Sequence, residues 1–224
     1  MNPADDALRT FVFADLSGYT ALTEAHGDDD AAVTAARFFE LTRSALSERS
    51  RLVKTLGDGV MIVADSIPEG IRVALLLAGA VRAEPNFPAA RVGLHAGTAV
   101  ETGGDYFGGC VNLTARVMAA AEPGQILCTA VVAEDDAASQ LAPPRTMGLA
   151  RLKHIREPVA LYALFASEAA PPPMWIDPVC RMRIDPTPAT FSAEHEGELV
   201  HFCSPACSDQ YLAEPSAYPR ARGT

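Results

Sequence analysis

Lys54 and Asp58 stand four residues apart within Arg51 to Asp65, RLVKTLGDGVMIVAD, where two β-rich runs flank an Asp-Gly. That pattern predicts a tight hairpin. It puts an ammonium and a carboxylate near one hairpin end, where both can face a ligand, although the same pair can also be a solvated surface ion pair. Asp15 ends the apolar run TFVFAD, an unusual place for a carboxylate; it can cap the next turn, since Leu16-Ser17-Gly18 follows. Asp105 lies in the glycine-punctuated stretch from Thr102 to Gly109. Asn112 and Arg116 come just after it, four apart, so they share one helical face, a spacing also common in surface decoration. Near the C-terminus, Cys203 and Cys207 are four apart, with Cys180 upstream and His201 two residues before Cys203. Soft thiolates plus an imidazole are what Zn²⁺ or Cu⁺ select. Three thiols close a tetrahedral set only if His201 or His195 joins them; otherwise the cysteines are buried hydrophobes of a small apolar cap.

Several elements must position these groups. Thr10 to Asp15 reads as a buried strand and Asp28 to Ser47 as a packing helix, with acidic residues at the end its dipole favours and Val33, Ala36, Phe39 and Leu46 at helical spacing. After the hairpin, Pro68 to Arg82 reads as a helix with its proline in the first turn, and Arg91 to Val100 as a strand. His95 on that strand has no second ligand at a useful spacing and reads as a packed histidine. A loop over 102–109 leads into the helix of Asn112 and Arg116. Gln125 to Ala130 then reads as a strand, Val131 to Leu141 as a short helix, and Thr146 to Ile155 and Val159 to Ala166 as closing strands. Together these predict an α+β fold, a mostly antiparallel sheet covered by helices. The proline-rich 167–174 reads as a linker between a domain at 1–166 and a smaller unit at 175–220.

The 224 residues suffice for one substantial domain and a small one, and 49% hydrophobic content supports a true core. A formal net charge of −10 argues against nucleic-acid or anionic-membrane partners, which need a basic face. An anionic ligand would need a metal or placed Arg and Lys. The longest apolar run, Val73 to Val81, is far below the roughly 20 residues that span a bilayer. The start lacks a basic segment followed by an apolar one, so no signal peptide is read and a cytoplasmic protein is expected. Five unevenly spread cysteines do not form a disulfide framework.

With FADLSGYTALTE, LVKTLGDGVMIV, RVGLHAG, GDYFGGCVNLTARV and LARLKHIREPVALY in this order, the region from Arg9 to Ala166 resembles a class III nucleotidyl cyclase catalytic domain. The resemblance implies a ferredoxin-like core and an adenylate cyclase that converts ATP to 3′,5′-cyclic AMP and pyrophosphate. It assigns two Mg²⁺ or Mn²⁺ per active site to Asp15 and Asp58, base reading to Lys54 and Asp105, ribose orientation to Asn112 and α-phosphoryl stabilisation to Arg116. Lys only donates and ionised Asp only accepts, which suits adenine; guanine reverses the pattern. In the family the metal aspartates come from one subunit and the other residues from its partner, so a symmetric homodimer is implied. Gly109-Cys110 and Thr114 depart from the family pattern, as does His154, which stands where Gly is usual.

The segment from Trp175 to Tyr218 resembles a YHS domain through IDPVCRMRIDP, HFCSPAC and EPSAY, with Arg181 where that family often has Gly. A tail of this kind implies a metal- or redox-responsive regulator, with Cys180, His201, Cys203 and Cys207 as the candidate ligands. Two other classes fit the same residues: a nucleotide-binding regulatory module without turnover, and a metal-handling protein whose tail does the work.

Overall fold

The computed structural model describes residues 7–165, 175–184 and 191–218. The chain begins with β1 (Arg9–Leu16), α1 (Tyr19–His26) and α2 (Asp28–Ala45). The hairpin of β2 (Ser50–Leu56) and β3 (Gly59–Ala64) follows, then α3 (Ile67–Ala83) and β4 (Ala90–Gly97). A second, short hairpin, β5 (Val100–Thr102) and β6 (Asp105–Phe107), leads to α4 (Gly109–Ala119) and β7 (Ile126–Thr129). After α5 (Ala130–Ala133) and α6 (Asp136–Leu141), β8 (Arg145–Ala150) and β9 (Val159–Leu164) close the domain. The tail contributes β10 (Trp175–Ile176), β11 (Arg183–Ile184), β12 (Phe191–His195), β13 (Glu198–Phe202) and α7 (Pro205–Ala213). Among the described residues no helix is long and apolar enough to cross a membrane.

The main sheet runs β2-β3-β1-β4-β7-β9-β8, antiparallel throughout except between β4 and β7. The order β4-β1-β3-β2 is that of a ferredoxin-like split βαβ core. Central β1 is buried on both faces, and its alternation sorts two cores. Val12, Ala14 and Leu16 join Phe38 and Leu41 of α2 and Ile71, Ala74 and Leu77 of α3. Phe11 and Phe13 point the other way, with Met61 and Val63 of β3, toward Tyr106 and Val111. Burying a side chain such as Phe11 contributes about 1.5–3 kcal/mol. Asp15 has the parity of Phe11 and Phe13 and is where that row opens to solvent at the C-terminal end of the strand.

Four sequence expectations change in detail. The stretch after Asp15 forms a separate helix, α1, on Leu22. Within 102–109, Tyr106 enters the core edge-on to Phe11, with centroids 5.3 Å apart, and this anchor makes the loop a hairpin. The helix expected over 131–141 is broken at Glu134 and Asp135. The strand expected to reach Ile155 stops at Ala150, because the chain turns through His154 at φ 63° while Leu152 is drawn into a small core with Val117 and Leu161. The linker read at 167–174 lies outside the described residues.

The tail has its own small core of Val179, Cys180, Phe202, Cys207 and Tyr211, against which Ala25 of α1 also packs. It is seated on the first domain by polar contacts. The Arg183 guanidinium is buried and its Nη2 donates to the carbonyl of Glu84 (2.5 Å), just past the end of α3, where the helix leaves carbonyls unpaired. Arg183 N donates to the Phe87 carbonyl (3.4 Å), and Met182 bridges Pro88.

Gly93 of β4 lets α4 approach. A Cβ there would lie 2.2 Å from the Met118 nitrogen and 2.5 Å from its Cα, both backbone atoms that cannot rotate away. Gly93→Ala is expected to push α4 off the sheet and cost about 1–3 kcal/mol, measured as a lower urea midpoint at unchanged slope. An unchanged midpoint would show that α4 is not held this closely.

Candidate functional site

Asp15 and Asp58 meet because of the sheet register. Asp15 pairs across to Gly59, so the turn residue Asp58 lies beside the end of β1. On the other flank Asp15 pairs to Arg91 of β4. Arg91 Nη2 donates to both Asp15 carboxylate oxygens, at 3.0 and 2.9 Å. Burial pushes the Asp58 carboxyl above the usual carboxylate range, and the charge of Asp15 adds to it; the Asp58 and Leu16 amides and Arg91 only partly offset these effects. Among the described residues, two carboxylates facing one guanidinium leave one negative charge unmatched. Half-buried hard oxygens with unmatched charge fit a divalent, oxygen-seeking cation such as Mg²⁺ or Mn²⁺.

Lys54 and Asp105 form a second, separate pair. Their side chains meet at 2.6 Å, and Asp105 Oδ1 also accepts from the Tyr106 amide at 2.8 Å. The Lys54 hydrogen bond, followed by that amide, holds the Asp105 carboxyl below its ordinary range. The Tyr106 anchor therefore places Asp105, and Phe107 on the next residue lies under the Lys54 ammonium, 5.7 Å from nitrogen to ring centre. Thus the two hairpin residues part: Asp58 joins Asp15, and Lys54 joins Asp105. Asn112 and Arg116 project from α4, exposed and half-buried respectively, while Val111, Thr114 and Val117 face inward. Among the described residues no hydrogen bond or ion pair links Asn112 or Arg116 to either cluster.

The departures in α4 have structural roles. Thr114 Oγ1 donates to the Cys110 carbonyl (2.8 Å), and Cys110 packs on Gly97, burial pushing its thiol up to about 11. His95 Nδ1 lies 2.8 Å from Thr129 Oγ1, and burial lowers its pKa, as suits a packed, neutral imidazole.

In the tail, Cys180, Cys203 and Cys207 come together, and the histidine that joins them is His26, the last residue of α1, in place of His201. The His201 ring instead lies against Trp175, with centroids 3.4 Å apart. Buried Asp177 aligns the cysteines: its Oδ1 accepts from the Val179 and Cys180 amides (2.8 and 3.2 Å), and its Oδ2 from the Cys203 amide (2.8 Å). Burial, more than any neighbouring charge, raises the Asp177 pKa. Ser204 caps α7 by accepting from the Cys207 amide (3.2 Å). Cys207 is the thiol driven toward thiolate, chiefly by hydrogen bonds from Cys180 and then Cys203.

Sequence reasoning missed two residues. Arg91 was readable only through register, since nothing before strand pairing puts it opposite Asp15. No local signal marks His26, which stands more than 150 residues before the cysteines it meets.

A model of the adenylate and guanylate cyclase catalytic domain matches residues 4–141, and a YHS domain model matches residues 175–222. A pH-sensitive adenylate cyclase of Mycobacterium tuberculosis is 36% identical over 125 residues, 56% of this chain and 32% of that protein. An adenylate cyclase of Streptomyces coelicolor is 33% identical over 174 residues, 75% of this chain and 44% of that protein. The chain thus spans less than half the length of these relatives. Among solved structures, an adenylate cyclase from Trypanosoma brucei, described in its monomeric state, superposes with a TM-score of 0.65 at 24% identity, over 80% of this chain and 96% of that one.

Because the folded Asp58 holds its proton to higher pH than the unfolded chain does, stability falls as pH rises from the ordinary carboxylate pKa through the raised one, and the loss persists at neutral pH. With a chelator present, Asp58→Asn is therefore expected to raise the thermal midpoint by a few degrees at pH 7 and not at pH 3. Mn²⁺ should raise the midpoint of the wild type only. A variant less stable than wild type at pH 7 would contradict this.

Proposed function

Since this chain belongs to the adenylate and guanylate cyclase catalytic domain family, with a YHS domain behind it, we propose that it converts ATP to 3′,5′-cyclic AMP and pyrophosphate at sites shared by two copies of the chain. The observation that carries this reading is the half-buried Asp15–Asp58 pair at the end of the central strand, with its unmatched negative charge. In the proposal these two carboxylates hold two Mg²⁺ or Mn²⁺. Such ions, when bound, favour loss of the ribose 3′-hydroxyl proton and offset charge on the phosphates.

The remaining roles fall to the chain's own groups. Lys54 donates to a ring nitrogen of adenine while Asp105 accepts from its exocyclic amine, and the distance between them gives the pair one fixed donor and one fixed acceptor. Asn112 orients the ribose. Arg116 presents a rigid fork of donors where charge grows on the α-phosphoryl group. A homodimer is supported by the exposed apolar side chains around the Lys54–Asp105 pair: Leu56 (49% exposed), Val100 (53%) and Phe107 (54%). A second copy would cover them and bring its own Asp15 and Asp58 to this surface. The proposed division is a catalytic domain at 1–166, a linker at 167–174 and a tail at 175–220, in a cytoplasmic protein whose tail regulates the cyclase.

The test is product formation by the purified chain from ATP and, separately, GTP, with Mn²⁺ or Mg²⁺. Cyclic AMP is expected, lost in Asp15→Ala and Asp58→Ala, with kcat lowered about 10²–10³-fold in Arg116→Ala. Equal mixing of the Asp58→Ala and Arg116→Ala chains should restore about a quarter of wild-type activity, because half the dimers regain one intact site. Cyclic GMP as the main product would reverse the base assignment. No product from a folded dimer would favour the nucleotide-binding module.

A further inference from the structure

The cysteine cluster of the tail does not stand in the tail alone. Cys180 and Cys203 sulfurs lie 3.4 Å apart and Cys203 and Cys207 3.7 Å, while His26 Nε2 lies 3.5 Å from Cys203 Sγ and 3.7 Å from Cys207 Sγ. All four ligand atoms fall within 4.8 Å of one another. These separations are too long for a disulfide, whose sulfurs sit at about 2.05 Å. These four separations are close to the edges of a tetrahedron around one ion: Zn–S of about 2.3 Å and Zn–N of about 2.0–2.1 Å imply edges of about 3.8 Å between sulfurs and about 3.6 Å between sulfur and nitrogen.

As the last residue of α1, His26 could serve merely to face that helix's terminal carbonyls. Its Nε2 faces two sulfurs instead. The surroundings are those of a built site. Asp177 ties the Cys180 and Cys203 segments together through three backbone amides, as groups behind metal ligands commonly do. Ala25, next to His26, packs into the tail's core, and Arg183 fastens the tail to the end of α3.

We propose that Cys180, Cys203, Cys207 and His26 bind one Zn²⁺ in a closed Cys₃His site that spans the two domains. Each cysteine that still carries a proton releases it to solvent as it becomes a ligand, and the imidazole coordinates neutral through Nε2. The ion joins the tail to α1. The same tail loop also rests on the segment that follows Asp15, since Arg181 Cβ would sit 2.3 Å from any Cβ at Gly18. Zinc occupancy therefore braces the turn that leads out of the Asp15 strand, and the tail's partner is its own catalytic domain.

The experiment uses the full chain, with zinc content by mass spectrometry after gel filtration, affinity by competition with a chromophoric chelator, and the visible spectrum of the Co²⁺-substituted protein. The wild type is expected to hold one Zn²⁺ per chain and to give the intense absorption of tetrahedral Co²⁺. His26→Ala should weaken binding by at least about tenfold, since even groups behind a ligand are worth 10–100-fold. His26→Cys, which restores a fourth donor, should keep zinc and shift the Co²⁺ spectrum toward an all-thiolate set. Removing zinc from the wild type should raise amide exchange in α1 as well as in α7. Unchanged affinity and spectrum in both His26 variants would overturn the proposal. So would zinc-dependent protection confined to the tail, Cu⁺ binding without zinc affinity, or no bound metal with all three thiols titratable.

Discussion

A charge at the end of a doubly buried strand is the constraint on which this structure depends. The strand β1 must be apolar on both faces because helices cover one side and the Tyr106 hairpin with α4 covers the other. The row that carries Phe11 and Phe13 therefore ends in Asp15, where the C-terminal end of the strand opens to solvent. A carboxylate there is tolerable because Arg91, directly across β4, neutralises it. Asp58 enters from the other neighbour and is only partly offset by the same Arg91, which concentrates negative charge at one sheet end. Packing and chemistry meet in that arrangement. The sheet order that fills the core also delivers two carboxylates to one point.

Much of this was legible in the residues, and the parts that were not share a cause. The Asp-Gly turn, the helices on either side of it and the Asn112–Arg116 face follow from local pattern, and the structure has them at nearly the expected bounds. What local pattern does not carry is pairing across the chain. Arg91 became part of the site only through strand register. His201 was the nearest histidine to the cysteines in sequence, yet its ring lies tilted against Trp175, while His26 reaches the cluster because α1 ends against the tail. The β5–β6 hairpin escaped for a related reason: its register rests on Tyr106 meeting Phe11, a contact between distant segments.

Two departures from the expected family pattern share one backbone conformation, and the structure accounts for one of them. His154 and Arg181 stand where the resemblance leads one to expect glycine, and both adopt a left-handed conformation, at φ 63° and 64°. Such a conformation costs an L-residue about 1–2 kcal/mol relative to glycine. At Arg181 something is gained in return, because its side chain lies over Gly18, itself left-handed at φ 79° and without the side chain that would block it. His154 is exposed, and nothing in the structure explains its retention.

The contact between Trp175 and His201 has an optical consequence. The chain's one tryptophan lies in the tail, so indole emission reports that small domain while the first domain contributes only tyrosine and phenylalanine. An imidazole against the indole makes that emission sensitive to small shifts of β10 against β13. The protein thus carries a built-in fluorophore, confined to one domain and read without labelling.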